Sequence, residues 1–190
     1  MKKATIIAAA LLISSAATFA QTWSVDKAHS RLGFNVTHLT VAEMGGTFNS
    51  IDAKITSSKP DFSDAVIELT ADINSINTDN EQRDNHLKGP DFFDAAKFPS
   101  FTFKSSSFKK VSDKKYKLSG DLTLHGVTKP VVLDVTFNGT TTNPMSKKTI
   151  AGFNITGKIK RSDFGIAASM PAAMLSDEVA LQASTEFAKD

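Results

Sequence analysis

Beyond residue 20, apolar and polar residues alternate in eight runs that follow a short first piece, Trp23-Ser24-Val25. Alternation puts every second side chain on one face of a β-strand, so each run carries one apolar face. In Arg31 to His38, Leu32, Phe34, Val36 and His38 share a face, against Arg31, Gly33, Asn35 and Thr37. Ile51, Ala53 and Ile55 form the second run, and Ala65, Ile67, Leu69, Ala71 and Ile73 the third. Phe101 and Phe103 mark the fourth, and Tyr116, Leu118, Leu122 and Leu124 the fifth. The last three carry Val131, Leu133, Val135 and Phe137, then Ala151, Phe153, Ile155 and Ile159, then Val179, Leu181, Ala183 and Phe187. Phe48 has the parity opposite to Ile51. Either a bulge near Gly45-Gly46 or Asn49 re-aims its ring, or the ring packs outside.

The links between most runs are short and rich in turn formers: Lys59-Pro60-Asp61, Ser112-Asp113-Lys114, His125-Gly126 and Asn143-Pro144. Short links join antiparallel neighbours, not parallel ones. The pattern predicts an all-β, up-and-down antiparallel eight-stranded barrel, with a two-sheet sandwich as the alternative. Eight strands close around a space wide enough for one small ligand.

Two links are too long for hairpins. The first, from Asn77 to Pro99, contains Thr78-Asp79-Asn80-Glu81, a capping box that predicts a short helix with Thr78 as its cap. Gly89-Pro90 would end that helix, and Asp91 would cap a second turn through Phe92, Phe93 and Ala96. The second link runs from Arg161 to Asp177 and holds Met170 and Met174. Long ordered loops beside a barrel are commonly binding loops. Phe92, Phe93, Met170 and Met174 would cover the mouth adaptably, or would simply plug the barrel end as core.

The N-terminus changes the charge balance. Lys2 and Lys3 precede the apolar stretch Ile6 to Ile13, and Thr18-Phe19-Ala20 resembles a signal-peptidase site. Residues 1–20 are therefore expected to be a cleaved secretory signal, and 21–190 one barrel domain in the periplasm. Removing Lys2 and Lys3 leaves 20 basic residues against 20 acidic ones, so no net positive charge argues for nucleic acid. No later apolar run is long enough to span a membrane. The chain has no cysteine, which excludes thiol catalysis, zinc–thiolate sites and disulfides.

Four segments, WSVDKAHSRLGFNVTHL, RDNHLKGPDFFDAAKFPSFTF, GDLTLHGVTKPV and RSDFGI, occur in an order and spacing that resemble the YceI-like family of exported bacterial proteins. The resemblance covers essentially the whole chain after residue 20. It implies a lipocalin-like barrel that binds a polyisoprenoid, a quinone-like molecule or another long-chain amphiphile, as a carrier or in a stress response. The expectation is a binding protein without a further cofactor, and the alternative is an enzyme acting on an isoprenoid-type lipid through His and carboxylate residues at the barrel mouth. Burying about 400 Å² of an apolar tail would contribute roughly 10 kcal/mol before ordering costs. The apolar ligand contacts would then be Leu32, Phe34, Val36, Ile67, Leu69, Phe101, Phe103, Leu122, Leu133, Val135, Phe153 and Ile155, with Phe92, Phe93, Met170 and Met174 at the cover. Open strand edges would allow pairing with a second copy, and the resemblance also leans towards a homodimer.

All four histidines, His29, His38, His86 and His125, lie within those segments. Asp26, His29 and Ser30 invite a hydrolase reading, but adjacent strand residues point to opposite faces and there is no G-x-S-x-G elbow. No histidine pair has the helical spacing of a zinc motif, and no metal site is assigned. Two readings of the remaining polar residues stay open. Arg83, Asp84 and His86 would tie the inserted helix to the rim, and Arg161 and Asp163 would fix the second loop. Alternatively, His38, Arg83, His86 or Arg161 would meet a ligand headgroup, an arginine suiting a phosphate.

Overall fold

The structure is a computed structural model that describes residues 20–190, so the expected signal peptide falls outside the described residues up to residue 19. Its strands are β1 (Gln21–Val25), β2 (Arg31–His38), β3 (Ala42–Phe48), β4 (Ile51–Ser57), β5 (Val66–Asp72) and β6 (Ile76–Asn77). After the helix α1 (Glu81–Leu87) come β7 (Ser100–Ser112), β8 (Lys115–Leu124), β9 (Val127–Thr142), β10 (Thr149–Lys160) and β11 (Glu178–Lys189).

Eleven strands make eight walls. β1 and β2 are one wall, kinked by a short 3-10 turn at Lys27–His29, because both pair with β11. β3 pairs with β2 and β4 with β1, so these two form the second wall. β5 and β6, on β4 and β3, form the third. β7 to β11 supply the other five, and the ring closes where Trp23 to Val25 meet Phe187 to Lys189. Each wall is antiparallel to the next in chain order, which is the up-and-down barrel and not the sandwich. Burial follows the alternation: in β4, Ile51, Ala53, Ile55 and Ser57 are buried while Asp52, Lys54 and Thr56 are exposed.

Three departures from strict alternation have local causes. Phe48 is buried, although Gly45-Gly46 carry no bulge: β2 and β3 pair without a break from Leu32↔Phe48 to His38↔Ala42. Parity resets at Asn49-Ser50, where the second wall kinks and the Asn49 amide donates to Ser75 O. β7 outlasts its legible run because the register shifts between Ser105 and Ser107. Inward positions change there from odd (Phe101, Phe103) to even (Phe108). β9 and β10 pair only as far as Asp134↔Thr156, then part. Leu133 fills the space over Gly157 in that gap, where a Cβ would collide with it. Closure still leaves unpaired edges where β9 and β10 part, along Ala42–Gly46 of β3 and along β7 beyond Lys104.

The long links lie at one end of the barrel. The cap of α1 is Asn80, not Thr78: Asn80 Oδ1 accepts the Arg83 amide at 2.9 Å. Thr78 is drawn away because its amide and hydroxyl both donate to Asp84. Residues 91–97 form successive turns and no second helix. Their backbone closes on itself and on α1, with Phe93 N donating to Leu87 O and Ala95 N to Lys88 O. Among the described residues, no helix is long and apolar enough to cross a membrane.

Candidate functional site: an apolar cavity closed at one end

The inward faces of the walls enclose a cavity of roughly 520 Å³. β2 contributes Leu32, Phe34 and Val36, β5 contributes Ile67 and Leu69, and β7 contributes Phe101 and Phe103. Leu122 of β8, Leu133 and Val135 of β9, and Phe153 and Ile155 of β10 complete the far side. Phe92 and Phe93 from the first long link, and Met170 and Met174 from the second, form the upper wall. The apolar residues expected to contact a ligand thus share one surface. Phe62, Met44 and Phe108 line it as well and were not expected, and Phe48, whose side was left open, lines it too. Phe62 stood out in the sequence only as one aromatic residue inside the polar stretch Ser57 to Asp64.

The polar groups divide by depth. Buried Thr185 reaches the cavity but donates to Phe153 O at 3.3 Å. Among the described residues, no buried side-chain nitrogen or oxygen lacks a partner. A buried polar atom that is already paired offers nothing to a ligand. The open groups are at the mouth, where His38 and His86 are exposed and Arg83 is half-buried. Arg83 Nε donates to Thr78 Oγ1 at 2.8 Å and one Nη2 proton to Thr78 O. Its Nη1 has no protein acceptor, so the guanidinium latches α1 and still has donors to offer.

Arg161 differs. It lines the cavity but is buried, and its donors are taken by carbonyls of its own link. Nε donates to Ser176 O, Nη1 to Ile166 O and Ala167 O, and Nη2 to Met170 O and Leu175 O. A guanidinium has five N–H groups, so none is left for a phosphate. Arg161 organises the 161–177 link, the structural one of the two readings that the sequence left open. Asp163 makes no such bond. Asp177 holds the start of the link instead, accepting from Ser162 N at 3.0 Å and Ser162 Oγ at 2.8 Å. Those hydrogen bonds keep its carboxyl below the usual carboxylate range.

The hydrolase-like residues stand off the cavity. His29 Nδ1 lies 2.9 Å from Asp26 Oδ2 in the exposed turn between β1 and β2. This hydrogen bond lowers the Asp26 carboxyl and raises the His29 imidazole relative to their ordinary values. Ser30 is occupied elsewhere, its hydroxyl donating to Glu186 O and accepting from Glu186 N. Asp26, His29 and Glu186 place ligand-type atoms within 4.8 Å of one another, but none of the three lines the cavity.

The end opposite the mouth is aromatic. Phe62, Phe153 and Phe187 face the cavity, with Trp23 and Phe137 packed behind them. The result is a barrel open among charged and imidazole groups at one end and closed by rings at the other.

A closed up-and-down barrel with an apolar interior and a helical flap defines a lipocalin-like container. Residues 23–187 match the YceI-like domain, and the chain belongs to the YceI-like family. It is 39% identical over 169 residues to a UPF0312 protein of Staphylococcus aureus, covering 87% of this chain and 96% of that protein. A crystal structure of a Campylobacter jejuni YceI protein superposes with a TM-score of 0.73 at 38% identity, covering 87% of this chain and 95% of that one. A polyisoprenoid-binding domain from Saccharophagus degradans, implicated in plant cell wall breakdown, superposes with a TM-score of 0.67. That match covers 88% of this chain and 98% of the domain at 17% identity, and so supports the fold alone.

Proposed function

We propose that this protein is a periplasmic binding and carrier protein for a polyisoprenoid or similar long-chain amphiphile, with a role in stress responses. The observation that carries the reading is the cavity: apolar walls, no unpaired polar group in its depth, and free donors only at the mouth. Such a site stabilises a ligand mainly by removing its tail from water, and orients it by a few polar contacts. The headgroup would sit beside Arg83, His86 and His38 and the tail would run towards the rings. The periplasmic placement rests on Lys2, Lys3, Ile6 to Ile13 and Thr18-Phe19-Ala20.

The reading is of a binding protein and not an enzyme. The His29–Asp26 pair lies outside the cavity wall and the Ser30 hydroxyl is bound to the Glu186 backbone. The alternative is an enzyme that acts on such a lipid through His38 or His86 at the mouth, where a base could reach it; recovery of a loaded lipid chemically unchanged is the outcome expected of a binding protein.

The test is native mass spectrometry of the protein purified from its own periplasm, followed by organic extraction. A co-purifying long-chain amphiphile is the expected result. A clean apo mass that also refuses added prenyl lipids would overturn the reading.

A further inference from the structure

We propose that Phe62 is the floor of the cavity and sets the length of apolar tail that the barrel accepts. The proposal rests on the lipid-binding reading above and adds to it a residue that determines specificity.

Phe62 comes from the β4–β5 link, not from a wall. Its neighbours Ser58, Lys59, Asp61, Ser63 and Asp64 are polar, yet its side chain is only 1% exposed. The backbone there is left-handed (φ 58), a conformation that a bulky non-glycine residue adopts only when its surroundings hold it. The surroundings do so. Phe62 N donates to Lys59 O at 3.1 Å, and Ala65 N to Phe62 O at 2.9 Å. Tyr116 Oη donates to Asp61 O at 2.7 Å, and Asp64 accepts from Ser57 and Ser58. A short polar link is thus folded back so that one ring enters the barrel from its closed end.

That ring separates two layers. Its centroid lies 5.1 Å from Trp23, 5.2 Å from Phe137 and 5.3 Å from Phe153. Phe62 and Phe153 face the cavity, while Trp23 and Phe137 do not. The space therefore ends at Phe62, with buried Trp23 and half-buried Phe137 directly behind it. Wall residues such as Ile67 and Leu133 limit the width. Phe62 limits the depth, because it comes from the link at the closed end and not from a wall. The polar head is held at the mouth, so the far end of the tail meets this ring. A rigid floor discriminates strongly: a methylene that does not fit changes binding by roughly tenfold or more.

Trp23 is the only tryptophan in the chain, so the floor carries its own reporter. Fatty acids brominated at the terminal carbon are expected to quench Trp23 more strongly than those brominated next to the carboxylate. The reverse order would overturn the floor assignment in the unaltered protein. The second arm measures affinity along a series of prenols, from geraniol through farnesol and geranylgeraniol to solanesol. In the wild type, affinity is expected to rise with each added unit and then stop rising. Phe62→Ala should move that limit upward by about one isoprene unit, since a lost ring leaves space of that size. Phe62→Leu, which keeps most of the packing, should move it less, and Val111→Ala, on the exposed end of β7 and outside the cavity lining, should leave it unchanged. An unchanged limit in both Phe62 variants would overturn the proposal while lipid binding stood. A wild type that takes up no prenol and no fatty acid would overturn the lipid-binding reading itself.

Discussion

Phe34 and Gly46 face each other across β2 and β3, and the Phe34 ring occupies the space that a side chain on Gly46 would need. A Cβ on Gly46 would lie 2.6 Å from Phe34 Cζ and 2.7 Å from Thr78 Cγ2. Phe34 lines the cavity, and Thr78 is the residue that latches α1 through Arg83 and Asp84. One missing side chain thus lets the inner wall and the helical flap pack on the same spot. Gly46→Val is expected to cost about 1–3 kcal/mol through overpacking. The check is the urea midpoint, together with ligand loading by native mass spectrometry, which should fall as Phe34 is pushed aside.

Arg161 and Arg83 should separate cleanly. Arg161→Ala strips the partner from five backbone carbonyls of the 161–177 link, and the loss is expected to be about 3 kcal/mol or more. Arg161→Lys should recover little of it, because an ammonium has three donors and no planar fork. Hydrogen exchange should rise across Ile166 to Leu175 in both variants, and affinity should fall alike for charged and neutral amphiphiles.

For Arg83→Gln the expectation is selective. A phosphorylated prenyl lipid should lose about tenfold in affinity, and a neutral quinone much less, since only the phosphate exploits a charged fork. Parallel titrations of the two lipids decide it. Equal losses would reduce Arg83 to the latch on Thr78.

Acid should loosen the floor. Burial alone would raise the Asp64 carboxyl, but hydrogen bonds from Ser57 and Ser58 outweigh it and hold the group well below its ordinary value. A carboxyl depressed in the fold stabilises above its unfolded value of about 3.9, and that contribution is lost as pH falls through the folded value. The link that carries Phe62 is therefore expected to loosen below about pH 4, seen as a red shift of Trp23 emission. Asp64→Asn should weaken the link at neutral pH and flatten the acid response.

The walls of the barrel were legible because alternation is a local property. Eight alternating runs became eight walls, and each run sends inward residues to one cavity, while Ala71, Ile73, Tyr116, Phe137 and Ala151 lie outside its lining. Where the local rule breaks, so did the reading. The register shift at Ser105 to Ser107 hid the outer half of β7, and the kink at Asn49-Ser50 left Phe48 unassigned. Thr78 looked like a helix cap because Thr and Glu stand at the right spacing, but Asp84 competes for its hydroxyl and Asn80 takes the cap.

Composition and period by themselves therefore determined a barrel of alternating strands with an apolar interior, stabilised without disulfides. Only the tertiary structure decided which polar groups remain free and where the cavity ends. Both depend on residues that meet through closure of the ring and not through sequence spacing. Arg161 is spent because its link folds back over it, and Phe62 reaches Trp23, Phe137 and Phe153 because walls far from it in sequence meet beneath one short loop.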